Sequence, residues 1–181
     1  MKETPAAGGG PAAVQDFYPD DVAHCYGCGR LNPRGHHLRT FWEGDETVSR
    51  FTPEPYHTAI PGSVYGGLVA SLLDCHGTGT AAAAALRRDG KEIGEGEAPR
   101  FVTASLQVDF LKPTPLGPEL EVRGRVVEIS DRKVVVDEEL SAEGVVTARG
   151  RVVAVRMPES MMAPREEGWG EDAGQGSEQS R

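Results

Sequence analysis

The sequence predicts an α+β domain in which one long helix packs against an antiparallel β-sheet. Three observations support this prediction. Apolar residues recur at helical spacing from Gly66 to Arg88, two β-rich segments precede that helix, and four β-rich segments follow it. The last three strands are separated by turn residues, and one long helix against a meander of strands is expected.

The segment before the helix reads as a hairpin followed by a loop. Residues His37 to Trp42 and Glu46 to Phe51 are β-rich and flank a short turn that contains glycine. Residues Thr52 to Gly62 contain three prolines, which excludes regular structure there. This loop is expected to deliver Tyr56 and His57 to the start of the helix.

The helix has two distinct stripes. An apolar stripe, spaced by three and four residues, is predicted to face the sheet; its members are Leu68, Leu72, Cys75, Gly79, Ala82 and Leu86. A second stripe is small and polar, and comprises Gly67, Ser71, Asp74, Thr78 and Ala81. Small residues permit close approach by a ligand or another backbone.

Four strands are predicted after the helix. In the first, alternation places Val102, Ala104, Leu106, Val108 and Phe110 on the half-buried side. Thr103 falls on the opposite, polar side by this rule. The three later strands are expected at Leu120 to Ile129, Val134 to Leu140 and Val145 to Val155.

Length and charge indicate a single modest domain with acidic ends. The 181 residues suffice for one core, which is predicted over residues 21–157. Residues 1–20 and the acidic tail, residues 158–181, lack apolar periodicity and are predicted to be disordered. The net charge is −9, but the tail carries −4 of it and residues 1–23 carry −3. The nearly neutral domain excludes a nucleic-acid partner, which would require a basic face.

The chain shows no secretory signal and no predicted membrane span. It contains three cysteines, an odd number, which are expected to stay reduced. These features predict a cytoplasmic protein that does not bind membranes.

Asp74 and a pair of glycines are the strongest candidates for chemistry. An ionised carboxylate in an apolar helix is costly unless something pairs with it or uses it. Gly66 and Gly67 precede it at the helix N-terminus, where free backbone N–H groups and the helix dipole favour developing negative charge. The two features predict an oxyanion site together with a catalytic carboxylate. The structural alternative is that Asp74 is a capped buried acid and that the glycines permit tight packing.

The distance between these two features predicts a dimer. Eight helical residues separate Gly66 from Asp74 and span about 12 Å, too far for both to act on one carbon atom. Two helices packed antiparallel across a twofold axis would bring the glycines of one subunit near the Asp of the other.

Three motifs carry a resemblance to a known family. The first is Cys25-Tyr26-Gly27-Cys28-Gly29 with Asn32-Pro33-Arg34-Gly35. The second is Gly66-Gly67 followed by Asp74, and the third is Phe101 to Leu106 with Lys112-Pro113. Their order and spacing along the chain are those of the family. The chain from about Cys25 to Arg156 therefore resembles hotdog-fold acyl-CoA thioesterases of the phenylacetate-pathway and THEM-like type. In that family a His precedes the two glycines, whereas this chain has Tyr65.

The resemblance implies a hotdog fold, a homodimer or dimer of dimers, and hydrolysis of an acyl-CoA without a cofactor. Asp74 would be the general base or the nucleophile, the amides of Gly66 and Gly67 would polarise the thioester carbonyl, and Thr103 would orient the water or Asp74. Candidate substrate-binding residues are Tyr65, His57 and Ser71.

The sequence is also compatible with functions other than hydrolysis. A non-catalytic acyl-CoA or small-lipid binding protein is the main alternative, supported by Tyr65 in place of His. A hydratase is disfavoured, because no suitably spaced Asp and His pair occurs on the helix. Cys25 and Cys28 supply only half of a tetrahedral zinc site. Because Cys75 lies within the helix and His36 and His37 precede a strand, no metal site is predicted, and a structural knuckle is preferred. His76 is expected to be a core or interface residue, since it points away from Asp74.

Overall fold

The computed structural model describes residues 12–161, which form one long helix and six strands. The helix α1 spans Gly66–Arg88. The strands are β1 Phe41–Glu43, β2 Glu46–Phe51, β3 Phe101–Phe110, β4 Leu120–Ile129, β5 Lys133–Ala142 and β6 Val145–Arg156. Four short 3-10 helices occur at Val14–Phe17, Asp20–Val22, Pro55–His57 and Glu159–Met161. No helix within the described part of the chain has the length and apolar character needed to cross a membrane.

All six strands form one antiparallel sheet in the order β1-β2-β4-β5-β6-β3, and α1 lies across one face of it. This arrangement confirms the α+β prediction and is the hotdog fold that the family resemblance implied. The strands β1 and β3 are the two edges of the sheet.

The elements that the sequence predicted from local patterns are found close to their expected bounds. α1 begins and ends where the helical periodicity does. The hairpin is present, with Gly44 in the left-handed conformation that a two-residue turn requires, but β1 begins at Phe41 rather than His37. The proline-rich loop contains one short 3-10 helix, and Tyr65 N donates to the carbonyl of His57 (2.8 Å), which attaches this loop to the helix start.

The prediction that residues 1–20 are disordered is wrong for residues 12–20. Val14 and Tyr18 are buried in the core beside the second half of α1. The backbone N–H of Val14 donates to the carbonyl of Thr40 (3.1 Å), and Gln15 makes two hydrogen bonds to Thr40. The segment is too short to show periodicity, and it is ordered by contacts with distant residues. Residues 1–11 and 162–181 lie outside the described residues, so the predicted acidic tail is described only as far as Met161.

The apolar stripe of α1 is buried, but part of it does not face the sheet as predicted. A Cβ on Gly79 would lie 2.6 Å from Thr40 Oγ1 and 2.7 Å from Gln15 Nε2. Cys75 likewise contacts the loop around Gly27. This side of the helix is covered by the N-terminal segment, which explains why α1 is buried nearly all round.

The alternation predicted for β3 is also wrong at its beginning. The register with β6 shifts between Thr103 and Ser105, which marks a β-bulge at Ala104. Thr103 pairs with Ala154 and Leu106 with Val152, and both partners on β6 are fully buried. Thr103 therefore faces the helix, on the same side of the sheet as Leu106, although it is an odd number of residues away.

Candidate active site

Asp74 lies in the middle of α1, half-buried, and meets Thr103 across the space between helix and sheet. The hydroxyl Oγ1 of Thr103 donates a hydrogen bond to Asp74 Oδ1 over 2.6 Å. The bulge at Ala104 makes this contact possible, because regular alternation would have turned Thr103 to the outer face. The structure thus brings together two of the predicted catalytic residues. The contact leaves Asp74 Oδ2 without a hydrogen-bond partner among the described residues.

Glu138 adds a second carboxyl group near Asp74, which the sequence analysis missed. It lies on the helix-facing side of β5, 3% exposed, between Gly124 of β4 and Gly150 of β6. Neither carboxyl oxygen has a hydrogen-bond partner in the described part of the chain. Burial raises the pKa of Glu138 well above its ordinary value, and the nearby charges of Asp74 and Asp137 raise it further. The signal available in the sequence was alternation, because Glu138 falls on the same face of β5 as Val134, Val136 and Leu140.

His76, two residues beyond Asp74, belongs to a different environment. It is fully buried and hydrogen-bonded through both ring nitrogens, to Thr47 Oγ1 (3.1 Å) and Ser49 Oγ (2.7 Å). Further bonds extend this set into a closed polar network of six buried residues: Gln15, Thr40, Thr47, Ser49, His76 and Thr80. Burial lowers the pKa of His76 to about 3. His76 is a core histidine, as predicted, and it is neutral at ordinary pH.

The N-terminus of α1 presents two unpaired backbone donors. Tyr65 precedes the helix, and its carbonyl accepts from Leu68 N (3.0 Å). The N–H groups of Gly66 and Gly67 have no acceptor within residues 12–161. A cavity of about 290 Å³ lies beside Gly66 and is lined by Val69, Phe110 and Leu111 among others. Free N–H groups at a helix N-terminus can stabilise developing negative charge, so the oxyanion site stays a prediction at this position.

Tyr65, the residue in place of the family His, covers part of this end. A Cβ on Gly67 would lie 2.3 Å from Cε1 and 2.6 Å from the hydroxyl oxygen of Tyr65, so the ring rests against Gly67. The side chain is 59% exposed. Gly67 therefore has a local packing reason for being glycine, whereas a Cβ on Gly66 would make only ordinary contact with the Phe110 ring, at 3.5 Å.

The remaining predicted binding residues make no hydrogen bond to Asp74 among residues 12–161. The ring of His57 accepts a hydrogen bond from Glu54 N (2.9 Å) and packs among aromatic rings, with His36 at 5.4 Å between centroids. Ser71 is half-buried, and its Oγ would lie 3.4 Å from a Cβ on Gly27. Ser71 thus faces the N-terminal loop, one helical turn before Cys75.

All three cysteines of the chain come together, which the sequence analysis did not expect. The Sγ atoms of Cys25, Cys28 and Cys75 lie within 4.8 Å of one another, and none is in a disulfide. Cys25 and Cys28 were recognised as half of a tetrahedral metal site, and Cys75 in the middle of α1 adds a third sulfur. The proximity of Cys75 to the other two cysteines depends on the packing of the N-terminal segment on the helix, which the sequence alone does not show.

The outer face of the sheet carries a larger cavity of about 600 Å³ lined by charged side chains. Its arginines are paired with acidic side chains: Arg123 with Glu121 (2.6 Å), Arg151 with Asp137 (2.6 Å), and Arg149 with Glu139 (3.0 Å). These balanced pairs lie on the face turned away from the helix. We therefore place the candidate site on the helix side, where Asp74 and the free amides are.

Comparison with known proteins identifies the family of this chain. The family described as Thioesterase superfamily matches residues 61–149, a range that includes all of α1 and β3. No functionally curated protein matches this chain. A solved thioesterase superfamily protein from Shewanella loihica PV-4 shares 50% sequence identity, covering 77% of this chain and 98% of its own, with a TM-score of 0.59.

More distant structures share the fold. The PaaI protein from the phenylacetic acid degradation operon of E. coli is 19% identical, with 68% of this chain and 81% of that chain covered and a TM-score of 0.53. Zebra fish thioesterase superfamily member 2 is 17% identical, with 66% and 81% covered and a TM-score of 0.52. The 50% identity over nearly the full length of the Shewanella protein supports a thioesterase-type function in general. On this evidence the chain belongs to the thioesterase superfamily.

Proposed function

We propose that this protein hydrolyses an acyl-CoA thioester to a carboxylic acid and free CoA. The observation that carries the proposal is the Asp74 carboxylate, half-buried in the helix and held by the Thr103 hydroxyl at 2.6 Å. The backbone N–H groups of Gly66 and Gly67, which have no acceptor among the described residues, would polarise the thioester carbonyl.

In the proposed reaction Asp74 acts in its ionised form. Thr103 donates to Oδ1, which holds the carboxylate in one orientation and leaves Oδ2 to take a proton from water. The water oxygen attacks the thioester carbon, the C–S bond breaks, and the proton passes to the CoA sulfur. Direct attack by Asp74, through an acid anhydride that water then hydrolyses, uses the same geometry.

The amides of Gly66 or Gly67 would receive the carbonyl oxygen as it becomes negative. Because eight residues of helix span about 12 Å, the amides and Asp74 of one chain do not serve the same thioester. We therefore propose a homodimer, alone or within a dimer of dimers, in which each site combines the glycines of one subunit with Asp74 of the other.

The edge of the sheet offers a surface for this dimer. Strand β3 has ten residues and no neighbour on its outer edge among the described residues. A long unpaired edge strand readily pairs with another chain. At the end of β3, Phe110 is 58% exposed beside Gly66, and Leu111 is 47% exposed. An interface along β3 would cover these side chains and the start of α1 together.

A non-catalytic acyl-CoA or small-lipid binding protein remains the second candidate. It is favoured by the ring of Tyr65, which rests on Gly67 where the family has a His. A phenol can donate a hydrogen bond, but it reaches farther than imidazole and stays neutral below about pH 10.

Turnover of a panel of acyl-CoAs separates the two candidates. Thioester loss is followed by its ultraviolet absorbance, because a chromogenic disulfide reagent would also react with the free cysteines of the protein. We expect turnover in the wild type and none in Asp74→Ala, with acyl-CoA binding retained. Binding without turnover in the wild type would instead establish the carrier.

Subunit mixing tests the shared site. A Gly66→Leu variant, which fills the cavity beside the free amides, and Asp74→Ala are each expected to be inactive. Co-refolded at equal amounts, they form heterodimers with one intact site, and about a quarter of wild-type activity should return. Activity that stays absent, although heterodimers form, would show that each chain builds its own site.

A further inference from the structure

The three cysteines form a compact sulfur cluster between the N-terminal loop and α1. Cys28 and Cys75 are buried and Cys25 is half-buried. The cluster is built by close packing, since a Cβ on Gly27 would lie 2.2 Å from Cys75 Sγ. Only glycine at this position lets the loop lie so close to the helix that the thiols meet.

The spacing of the sulfurs is that of ligands around one metal ion. Cys25 Sγ and Cys75 Sγ are 3.8 Å apart, and all three sulfurs lie within 4.8 Å of one another. A tetrahedral zinc ion with Zn–S bonds of about 2.3 Å places its sulfur ligands about 3.8 Å apart. A disulfide would require the two sulfurs to approach to about 2.05 Å. The cluster therefore needs little movement to hold zinc.

The guanidinium of Arg100 beside the cluster favours an anionic occupant. Arg100 interacts electrostatically with Tyr18, Cys28 and Cys25, and within residues 12–161 it has no carboxylate partner. Its guanidinium lies 4.6 Å from the centre of the Tyr18 ring, and its Nη1 atom is buried without a hydrogen-bond partner in the same part of the chain. Zinc bound to three thiolates carries a net charge of −1, which the guanidinium of Arg100 would balance.

We propose that Cys25, Cys28 and Cys75 bind a zinc ion that fastens the N-terminal loop to α1. No fourth Cys, His, Asp or Glu joins the group among the described residues, so a water molecule or another small ligand completes the tetrahedron. The site lies next to Asp74 in sequence, but its role is structural and does not depend on the proposed hydrolysis. Metal binding would then contribute to the stability of the folded chain.

Metal analysis of the full chain, purified under reducing conditions, tests this proposal. The apoprotein is titrated with Zn²⁺ against a chromogenic chelator, and with Co²⁺ to observe thiolate-to-metal charge-transfer absorption. We expect about one Zn²⁺ per chain, intense charge-transfer bands with Co²⁺, and a rise in melting temperature on adding Zn²⁺.

Matched variants identify the ligands. Cys25→Ser changes a half-exposed loop residue and is expected to fold, so loss of stoichiometric zinc there is not explained by unfolding. Cys28→Ser and Cys75→Ser should also lose stoichiometric zinc binding. His24→Ala, which changes an exposed neighbour, should retain zinc. The proposal is wrong if the reduced wild type binds no zinc, or if folded Cys25→Ser binds zinc as the wild type does.

Discussion

Two polar regions on opposite sides of α1 differ in how completely their groups are satisfied. Around His76, six buried side chains form a closed network in which both ring nitrogens are bonded. Around Asp74, the only side-chain partner is Thr103, and the nearby Glu138 has none within the described residues.

This difference separates a structural role from a functional one. A satisfied buried network stabilises one arrangement of the core and leaves no group available for a substrate. An unpaired buried carboxyl reduces stability, so its presence requires another reason. The contrast indicates that substitutions on the His76 side should lower the free energy of unfolding. Substitutions on the Asp74 side should lower kcat.

The largest expected effect is loss of turnover in Asp74→Asn. General-base catalysis contributes roughly 10²–10⁴-fold, so kcat should fall by about that factor or more. Because the amide is similar in size to the carboxylate and can still accept from Thr103, the melting temperature should change little. Kinetics and thermal unfolding are measured on the same preparation, and a variant that keeps wild-type kcat would remove Asp74 from the mechanism.

His76→Ala should show the reverse pattern. The substitution leaves a cavity and deprives the hydroxyls of Thr47 and Ser49 of their partner, at a cost of about 2–4 kcal/mol. Denaturant-induced unfolding measures this loss, with exposed His24→Ala as the control expected to remain within about 0.5 kcal/mol of the wild type. Activity per folded molecule should be nearly unchanged. A large loss of kcat in the folded fraction would contradict the contrast between the two regions.

Thr103→Val should lower kcat by roughly 10- to 100-fold, because a hydrogen bond to a charged group contributes about 1.5–3 kcal/mol. Thr103→Ser keeps the hydroxyl and should retain most of the activity. The steady-state kinetics of this pair distinguish the hydrogen bond to Asp74 from packing in the bulge. Equal activity of the two variants would mean that the hydroxyl does not act on Asp74.

Glu138 and His76 should make stability depend on pH with opposite signs. The folded-state pKa of Glu138 is raised, so its contribution is complete below the unfolded pKa of about 4.3 and decreases as pH rises, by up to about 1.4 kcal/mol per unit. The folded-state pKa of His76 is lowered to about 3, so its contribution is complete above the unfolded pKa of about 6.5 and decreases as pH falls.

Denaturant unfolding of the wild type and of Glu138→Gln between pH 5 and pH 8 checks the first of these signs. The variant should become more stable than the wild type as pH rises, because glutamine cannot ionise. A stability difference that does not change with pH would show that Glu138 is not protonated in the folded protein.

The smallest expected effect is a change in the free energy of unfolding when Gly66 or Gly67 is replaced by alanine. Gly66→Ala places its Cβ at an ordinary 3.5 Å from the Phe110 ring and should raise the free energy of unfolding by up to about 1 kcal/mol. Gly67→Ala must displace the Tyr65 ring, which a Cβ would approach to 2.3 Å, so its gain should be smaller. Melting temperatures of the two variants test this order, and an equal or larger gain at Gly67 would contradict it.

Features that depend on local pattern were determined by the sequence alone. Helical spacing predicted α1 over its observed length, and β-rich runs separated by turn residues predicted where the strands lie along the chain. The position of β3 beside β6, rather than beside β4, was decided by the tertiary structure. Asp74 and the glycine pair were recognised from residue type and spacing, because a carboxylate within an apolar helix is unusual wherever it occurs.

Only the tertiary structure decided which side chains meet. Thr103 reaches Asp74 because a bulge in β3, seen in its register with β6, reverses the alternation. Cys25 meets Cys75 across 50 residues of sequence because the N-terminal segment packs on α1. Such contacts depend on the free energy of distant segments packing together, which no short window of sequence contains.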